Sequence, residues 1–198
     1  MLWLLITYAV ASTITPGPNN LMLFASGANF GLRRSVRHIF GISLGHVIMI
    51  GGLGLGLAQI FAVMPAAHTV LKICSAIYMT YLAYKIATAA PPSGVASTAT
   101  PMTLWQAAAF QWVNPKAWAM HLNALTLFAP PEAGWLGFLT VIIVIPLINT
   151  PCVTVWAVLG SKTKRWLNAP RRLRAFNITM ALMLIASILP ILRAGVPV

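Results

Sequence analysis

The stretch Thr15-Pro16-Gly17-Pro18-Asn19-Asn20 lies in the middle of an apolar run from Leu2 to about Gly27. It is built from residues that stop a helix, since proline lacks an amide donor and crowds the preceding turn, and glycine forfeits backbone entropy. A second stretch of the same character, Gln111-Trp112-Val113-Asn114-Pro115-Lys116, interrupts the run from Leu104 to Ala129 at a comparable place in the other half. Inside a bilayer an unpaired backbone amide or carbonyl costs several kcal/mol, so an interrupted span persists only where protein, water or a ligand meets the freed groups. Two matched interruptions predict one shared polar cavity, the arrangement of a transporter.

Composition supports the membrane reading. The 198 residues are 59% hydrophobic and 7% charged, with a mean hydropathy of +0.85, whereas an ordinary soluble domain carries roughly 25% charged residues. A hydrocarbon core of ~30 Å needs about 20 largely apolar residues per helix. Runs of that kind are placed at Leu2 to Gly27, Ile39 to Val63, Val70 to Ala89, Leu104 to Ala129, Leu136 to Leu159 and Ala175 to Leu192. The chain is therefore expected to be an all-α membrane protein with six transmembrane helices in a single domain. Residues 1–90 would form the first three-helix half, 91–103 a linker rich in Pro, Ser, Thr and Ala, and 104–198 the second half.

Basic residues set the expected orientation. Arg33, Arg34 and Arg37 follow the first run, Lys85 ends the third, and Lys162, Lys164, Arg165, Arg171, Arg172 and Arg174 follow the fifth. By the positive-inside rule these loops are cytoplasmic, both termini are external, and the halves run in opposite directions, as an inverted 3+3 repeat with broken first and fourth helices requires. Most of the net charge of +12 falls in these loops, where topology and anionic lipid explain it, so no nucleic-acid partner is implied. The last basic loop, Ser161 to Arg174, interleaves Trp166 and Leu167 with cations and is expected to lie in the headgroup layer. Leu2 to Ala11 lacks the positive n-region of a signal peptide and is read as a retained helix.

A half-helix that begins inside the bilayer presents free N–H groups and a partial positive charge, which suit a carboxylate. At the first break Thr15 can cap a helix that begins at Pro16, Gly17 admits close approach of another group, and Asn19 and Asn20 offer amide donors and acceptors. At the second, Asn114 is the expected cap, Pro115 the first helical residue and Lys116 a fixed or titratable cation. Pro146-Leu147-Ile148-Asn149-Thr150-Pro151 is read as a third, weaker interruption in the fifth run, with Asn149, Thr150 and Gln111 completing the cavity wall.

Gly41, Gly45, Gly52 and Gly56 recur through the second run, a small-residue pattern that permits close helix contact. His46 beside Gly45 either satisfies a backbone carbonyl or carries a proton, with His121 a weaker case of the same kind. The single acidic residue, Glu132, falls in an external loop, so an intramembrane carboxylate relay, carboxylate metal sites and paired-carboxylate catalysis are all excluded. Proton coupling, if present, must use His46, Lys116 or the substrate. A cationic substrate side chain would lack a counter-ion, and a small zwitterion fits better. Cys74 and Cys152 imply neither a disulfide framework nor a metal site, and no cofactor is called for.

Thr15 to Asn20 followed by a basic loop, the Gly41/Gly45 run, Tyr81-Leu82-Ala83-Tyr84-Lys85-Ile86-Ala87 and Asn114-Pro115-Lys116 together resemble the LysE/RhtB family of amino-acid exporters. The resemblance covers nearly the whole chain and comes nearest to the branch exporting cysteine, O-acetylserine and similar neutral amino acids. It implies a bacterial inner-membrane protein, not an enzyme, that expels small amino acids in exchange for protons. Substrate-binding roles are carried over to Pro16, Gly17, Pro18, Asn19 and Asn20, and to Asn114, Pro115 and Lys116. Members handling basic amino acids carry acidic residues in the membrane, and this chain has none there. The oligomeric state stays open at this level, a homodimer included. Two other classes also stay open: a membrane thiol-redox carrier, which would need juxtaposed cysteines, and a passive solute channel.

Overall fold

The computed structural model describes residues 1–57, 64–89, 100–187 and 189, and among them every regular element is helical. In chain order these are α1 (Leu2–Ile14), α2 (Pro18–Phe30), α3 (Leu32–Gly52), α4 (Pro65–Ala87), α5 (Leu104–Phe110), α6 (Pro115–Phe128), α7 (Gly134–Thr163) and α8 (Pro170–Ala186). Single 3-10 turns occupy Gln111–Val113, Pro131–Ala133 and Trp166–Asn168, and a π turn at Leu53–Leu57 ends α3. Three segments are long and apolar enough to cross a membrane, Leu32–Leu57, Thr69–Ala87 and Pro131–Thr163. The predicted linker lies largely outside the described residues, as does the end of the sixth run.

Both sequence breaks are real. α1 and α2 have 13 residues each, about 20 Å apiece at the standard rise, and neither alone reaches across a ~30 Å core. Exposure follows the apolar medium: Leu139, Ile143 and Leu147 form an exposed stripe at four-residue spacing along α7, a face that suits lipid rather than water. Exposed tryptophans sit at element ends, Trp3 and Trp135 at the starts of α1 and α7, Trp105 at the start of α5 and Trp166 after α7, as expected for interfacial belts.

Glycines hold the half-helices against the long helices. A Cβ on Gly27 of α2 would lie 2.1 Å from the Ala157 carbonyl oxygen of α7, and one on Gly160 would lie 2.0 Å from that of Phe24, so these helices touch through backbone. On α3, Gly41 meets Leu104 and Ala107 of α5, and Gly45 meets Ala108 and Gln111. The small-residue pattern is thus a packing seam at Gly41 and Gly45. Gly56 does not belong to it: it has φ +115° inside the π turn and nothing within 4 Å of an added Cβ, so its role is conformational.

Two further expectations are corrected. The third interruption is not a break, because α7 continues through Pro146 and Pro151. Thr150 Oγ1 makes an ordinary back-bond to the Pro146 carbonyl at 2.8 Å, and the helix tolerates both prolines as membrane helices packed in protein can. Thr15 caps the end of α1 rather than the start of a helix at Pro16, and α2 begins at Pro18 with Gly17 before it. The basic loop after α7 packs on the fold through Leu167, buried beside Ala28 and Leu173, while Trp166, with Arg172 over its ring at 5.5 Å, stays exposed.

Candidate transport site between the broken helices

At the first break the freed carbonyls of α1 are met one by one. Thr15 Oγ1 donates to the Ser12 carbonyl at 3.1 Å, Asn20 Nδ2 to those of Thr13 and Thr15 at 2.8 and 2.7 Å, and Trp156 Nε1 to that of Ile14 at 3.1 Å. Asn20, only 2% exposed, therefore spends its amide on holding the break together. The donors of α2 are handled differently. Its first backbone bond runs from Leu21 to the Gly17 carbonyl at 2.9 Å, and no side chain caps it. The N–H groups of Asn19 and Asn20 are left without a backbone or capping acceptor, as at any uncapped helix start.

The second break is more self-contained. Asn114 Oδ1 accepts from the Lys116 amide at 3.2 Å with Pro115 as first helical residue, as the sequence predicts. Trp118 Nε1 donates to the Trp112 carbonyl at 2.8 Å, and Gln111 Nε2 to that of Ala107 at 2.9 Å. The α6 start thus has fewer free donors than the α2 start.

Side chains join the breaks. Asn19 Nδ2 donates to Gln111 Oε1 at 2.8 Å and Gln111 Nε2 donates back to Asn19 Oδ1 at 3.2 Å. Lys116 Nζ donates to the Thr15 carbonyl and to Thr15 Oγ1, both at 2.8 Å. Its stem crosses Gly17 so closely that a Cβ there would lie 2.7 Å from Lys116 Cδ. Gly17 is extended, with φ −174°, so space and not backbone conformation demands glycine.

Gly17, Asn19, Asn20, Asn114 and Lys116 enclose a cavity of about 20 Å³, completed by His46 and Asn149. One water needs roughly 10–15 Å³, so the site has room for little more than a solvent molecule. Thr150 does not line it; its hydroxyl lies 2.6 Å from that of Ser43 on α3, a contact between helices. Sequence reasoning missed the partner of His46. His46 Nδ1 lies 2.8 Å from His121 Nε2, both residues are at most 1% exposed, and the other nitrogen of each ring has no partner. A lone histidine in each of two distant runs carries no pairing signal until the fold sets α3 beside α6. Cys74 is exposed and Cys152 half-buried, and both are free.

Polar groups gathered between two broken apolar helices, in a molecule that exposes apolar side chains along its flanks, define a membrane transporter rather than an enzyme. The particular family is settled by comparison: the chain belongs to the LysE type translocators, whose family model matches residues 10–189. Among curated proteins it is 34% identical to a cysteine/O-acetylserine efflux protein of Escherichia coli O139:H28 (strain E24377A / ETEC), over 90% of this chain and 91% of that protein. Proteins of the same description from Escherichia coli (strain K12) and Shigella flexneri are each 33% identical over the same shares. No solved structure matches the chain.

Proposed function

We propose that the protein exports small neutral amino acids or their derivatives, of the cysteine, O-acetylserine, homoserine and threonine kind, from the bacterial cytoplasm by alternating access coupled to proton antiport. The observation that carries this is the meeting of two helix breaks at one polar cavity, with unpaired N–H groups of Asn19 and Asn20 on one side and Lys116 on the other. Those groups suit the carboxylate of a zwitterion, and the efflux proteins similar to this chain along its length support the substrate class.

In this reading the helices form six spans, α1 with α2 as the first and α5 with α6 as the fourth, in an inverted three-plus-three arrangement with both ends external. The present cavity is the closed state. Admission of an amino acid separates Asn19 from Gln111 and Lys116 from Thr15, and the substrate replaces those bonds. Protonation enters through His46 and His121: one added proton is taken on an outer ring nitrogen and leaves their N–H···N contact in place, and protonation of both rings breaks it, because both facing nitrogens are then donors.

The test is efflux of radiolabelled, reduced L-cysteine and of L-threonine from proteoliposomes with and without an imposed pH gradient. Saturable transport accelerated by the gradient is expected. Equal rates under both conditions would overturn proton coupling, a linear dependence on concentration would favour a passive channel, and no transport of either probe would overturn the substrate class.

A further inference from the structure

We infer that the molecule holds a second amino-acid site, a loading vestibule at its basic end, separate from the cavity between the breaks. It is a cavity of about 120 Å³ among α2, α3, α4 and the start of α5, lined by Met22, His38, Tyr78, Tyr81, Lys85 and Gln106 among others. By volume it admits a solute of several non-hydrogen atoms, where the cavity at the breaks admits about one water. The inference rests on the proposed transport of amino acids and adds a place where they wait.

His38 carries the argument. It is 1% exposed, and neither ring nitrogen has a hydrogen-bond partner. Buried polar groups in folded proteins are nearly always paired, and an orphan asks for a ligand or water. Its polar neighbours are already engaged: Ser26 with Ser35 at 2.8 Å, Asn29 with Asn177 at 2.8 and 3.1 Å, and Gln106 Oε1 with the Thr103 amide at 3.0 Å. A neutral imidazole offers one donor and one acceptor, and a zwitterionic amino acid supplies the complement of each.

The rest of the lining defines the ligand further. Lys85 stands exposed, with its Nζ 5.7 Å from the Tyr81 ring centre, a cation for a carboxylate. No acidic residue lines the cavity, since Glu132 lies in the turn before α7, so a lysine- or arginine-like side chain finds no counter-charge. Met22, Leu82 and Tyr78 offer an apolar wall to a short side chain.

Position fits a waiting site. The two cavities share no lining residue but use the same helices, with His38 and His46 roughly two turns apart on α3 and Ser26 and Asn29 further along α2 than Asn19 and Asn20. The reciprocal Asn19–Gln111 bonds stand at the start of α2 and the end of α5, the two helices that also line the vestibule.

The experiment measures uptake of reduced, radiolabelled L-cysteine into inside-out vesicles, where the basic end faces the bath, and half-saturation for exchange at the opposite face. His38→Phe and Lys85→Gln are each expected to raise KM at the basic face about fivefold, with the maximal rate and the opposite face unchanged, the pattern of lost uniform binding. His38→Gln, which keeps a donor and an acceptor, restores most of the affinity. If His38→Phe fails to reach the membrane, Lys85→Gln, on an exposed side chain, carries the test. Unaltered KM in a protein that transports, or an equal rise at both faces, overturns the vestibule and leaves it holding water. If the wild type moves no cysteine, the proposed function fails instead. The vestibule is then tested by equilibrium dialysis of L-cysteine, where binding lost in His38→Phe supports it and no binding to the wild type overturns it.

Discussion

Lys116, at the first turn of α6, donates both to the carbonyl and to the hydroxyl of Thr15 at the end of α1, each at 2.8 Å. A cation is thereby placed on the negative end of one half-helix, where it adds to the donors that meet the carbonyls freed by the break. The same ammonium lines the cavity, so it stabilises the closed state and stands where a carboxylate would draw it away. Lys116→Met removes both roles. Its efflux is expected to fall about tenfold or more, as loss of a charge-assisted hydrogen bond of ~1.5–3 kcal/mol predicts, at unchanged membrane abundance. Efflux of L-cysteine from cells matched for protein level checks this.

Gly17→Ala tests the same contact from the other side. The added methyl meets Lys116 Cδ and Nζ at 2.7 and 3.0 Å, and because these belong to a flexible side chain the fold yields by moving the lysine. The expected result is weakened transport with little change in Tm. A Gly17→Ala protein exporting at the wild-type rate would show that the stem of Lys116 has room to spare.

The seam between α2 and α7 behaves oppositely. At Gly160 an added Cβ would lie 2.0 Å from the Phe24 carbonyl oxygen and 3.0 Å from the Ala28 amide nitrogen, and backbone cannot step aside. Gly160→Leu is expected to destabilise by at least the ~1–3 kcal/mol of an overpacked core. Thermal unfolding in detergent, followed by tryptophan fluorescence, should show a clearly lowered Tm.

The breaks were legible in the sequence because proline and glycine act locally, and Asn114 before Pro115 names its own cap. Pro146 and Pro151 misled for the same reason: the residue type announces a broken amide ladder, but the surrounding packing decides whether the helix stops, and here α7 runs through both. Asn20 was legible as important and misread in role, since its amide serves the break's own carbonyls. The joining of His46 to His121 and of Asn19 to Gln111 depends on which helices become neighbours. That choice is made by glycine seams spread over distant turns, which no local pattern reports.

His46 and His121 yield the last prediction. Their rings meet edge to face, 4.8 Å between centres at 80°, through one hydrogen bond that ties α3 to α6. With a single proton between the facing nitrogens the bond holds, and one added proton, taken on an outer ring nitrogen, leaves it in place; protonation of both rings replaces it with two opposed donors and drives the helices apart. His121→Phe keeps the volume and removes that dependence. Cysteine counterflow at equal pH on both sides should persist, because exchange of substrate for substrate needs no net proton movement, whereas acceleration by an imposed pH gradient should vanish. The ratio of gradient-driven to equal-pH flux, measured in the same proteoliposomes, reads the coupling alone and is insensitive to how much protein was reconstituted. A ratio in His121→Phe and in His46→Phe equal to that of the wild type would move proton coupling away from this pair and leave Lys116 as its carrier.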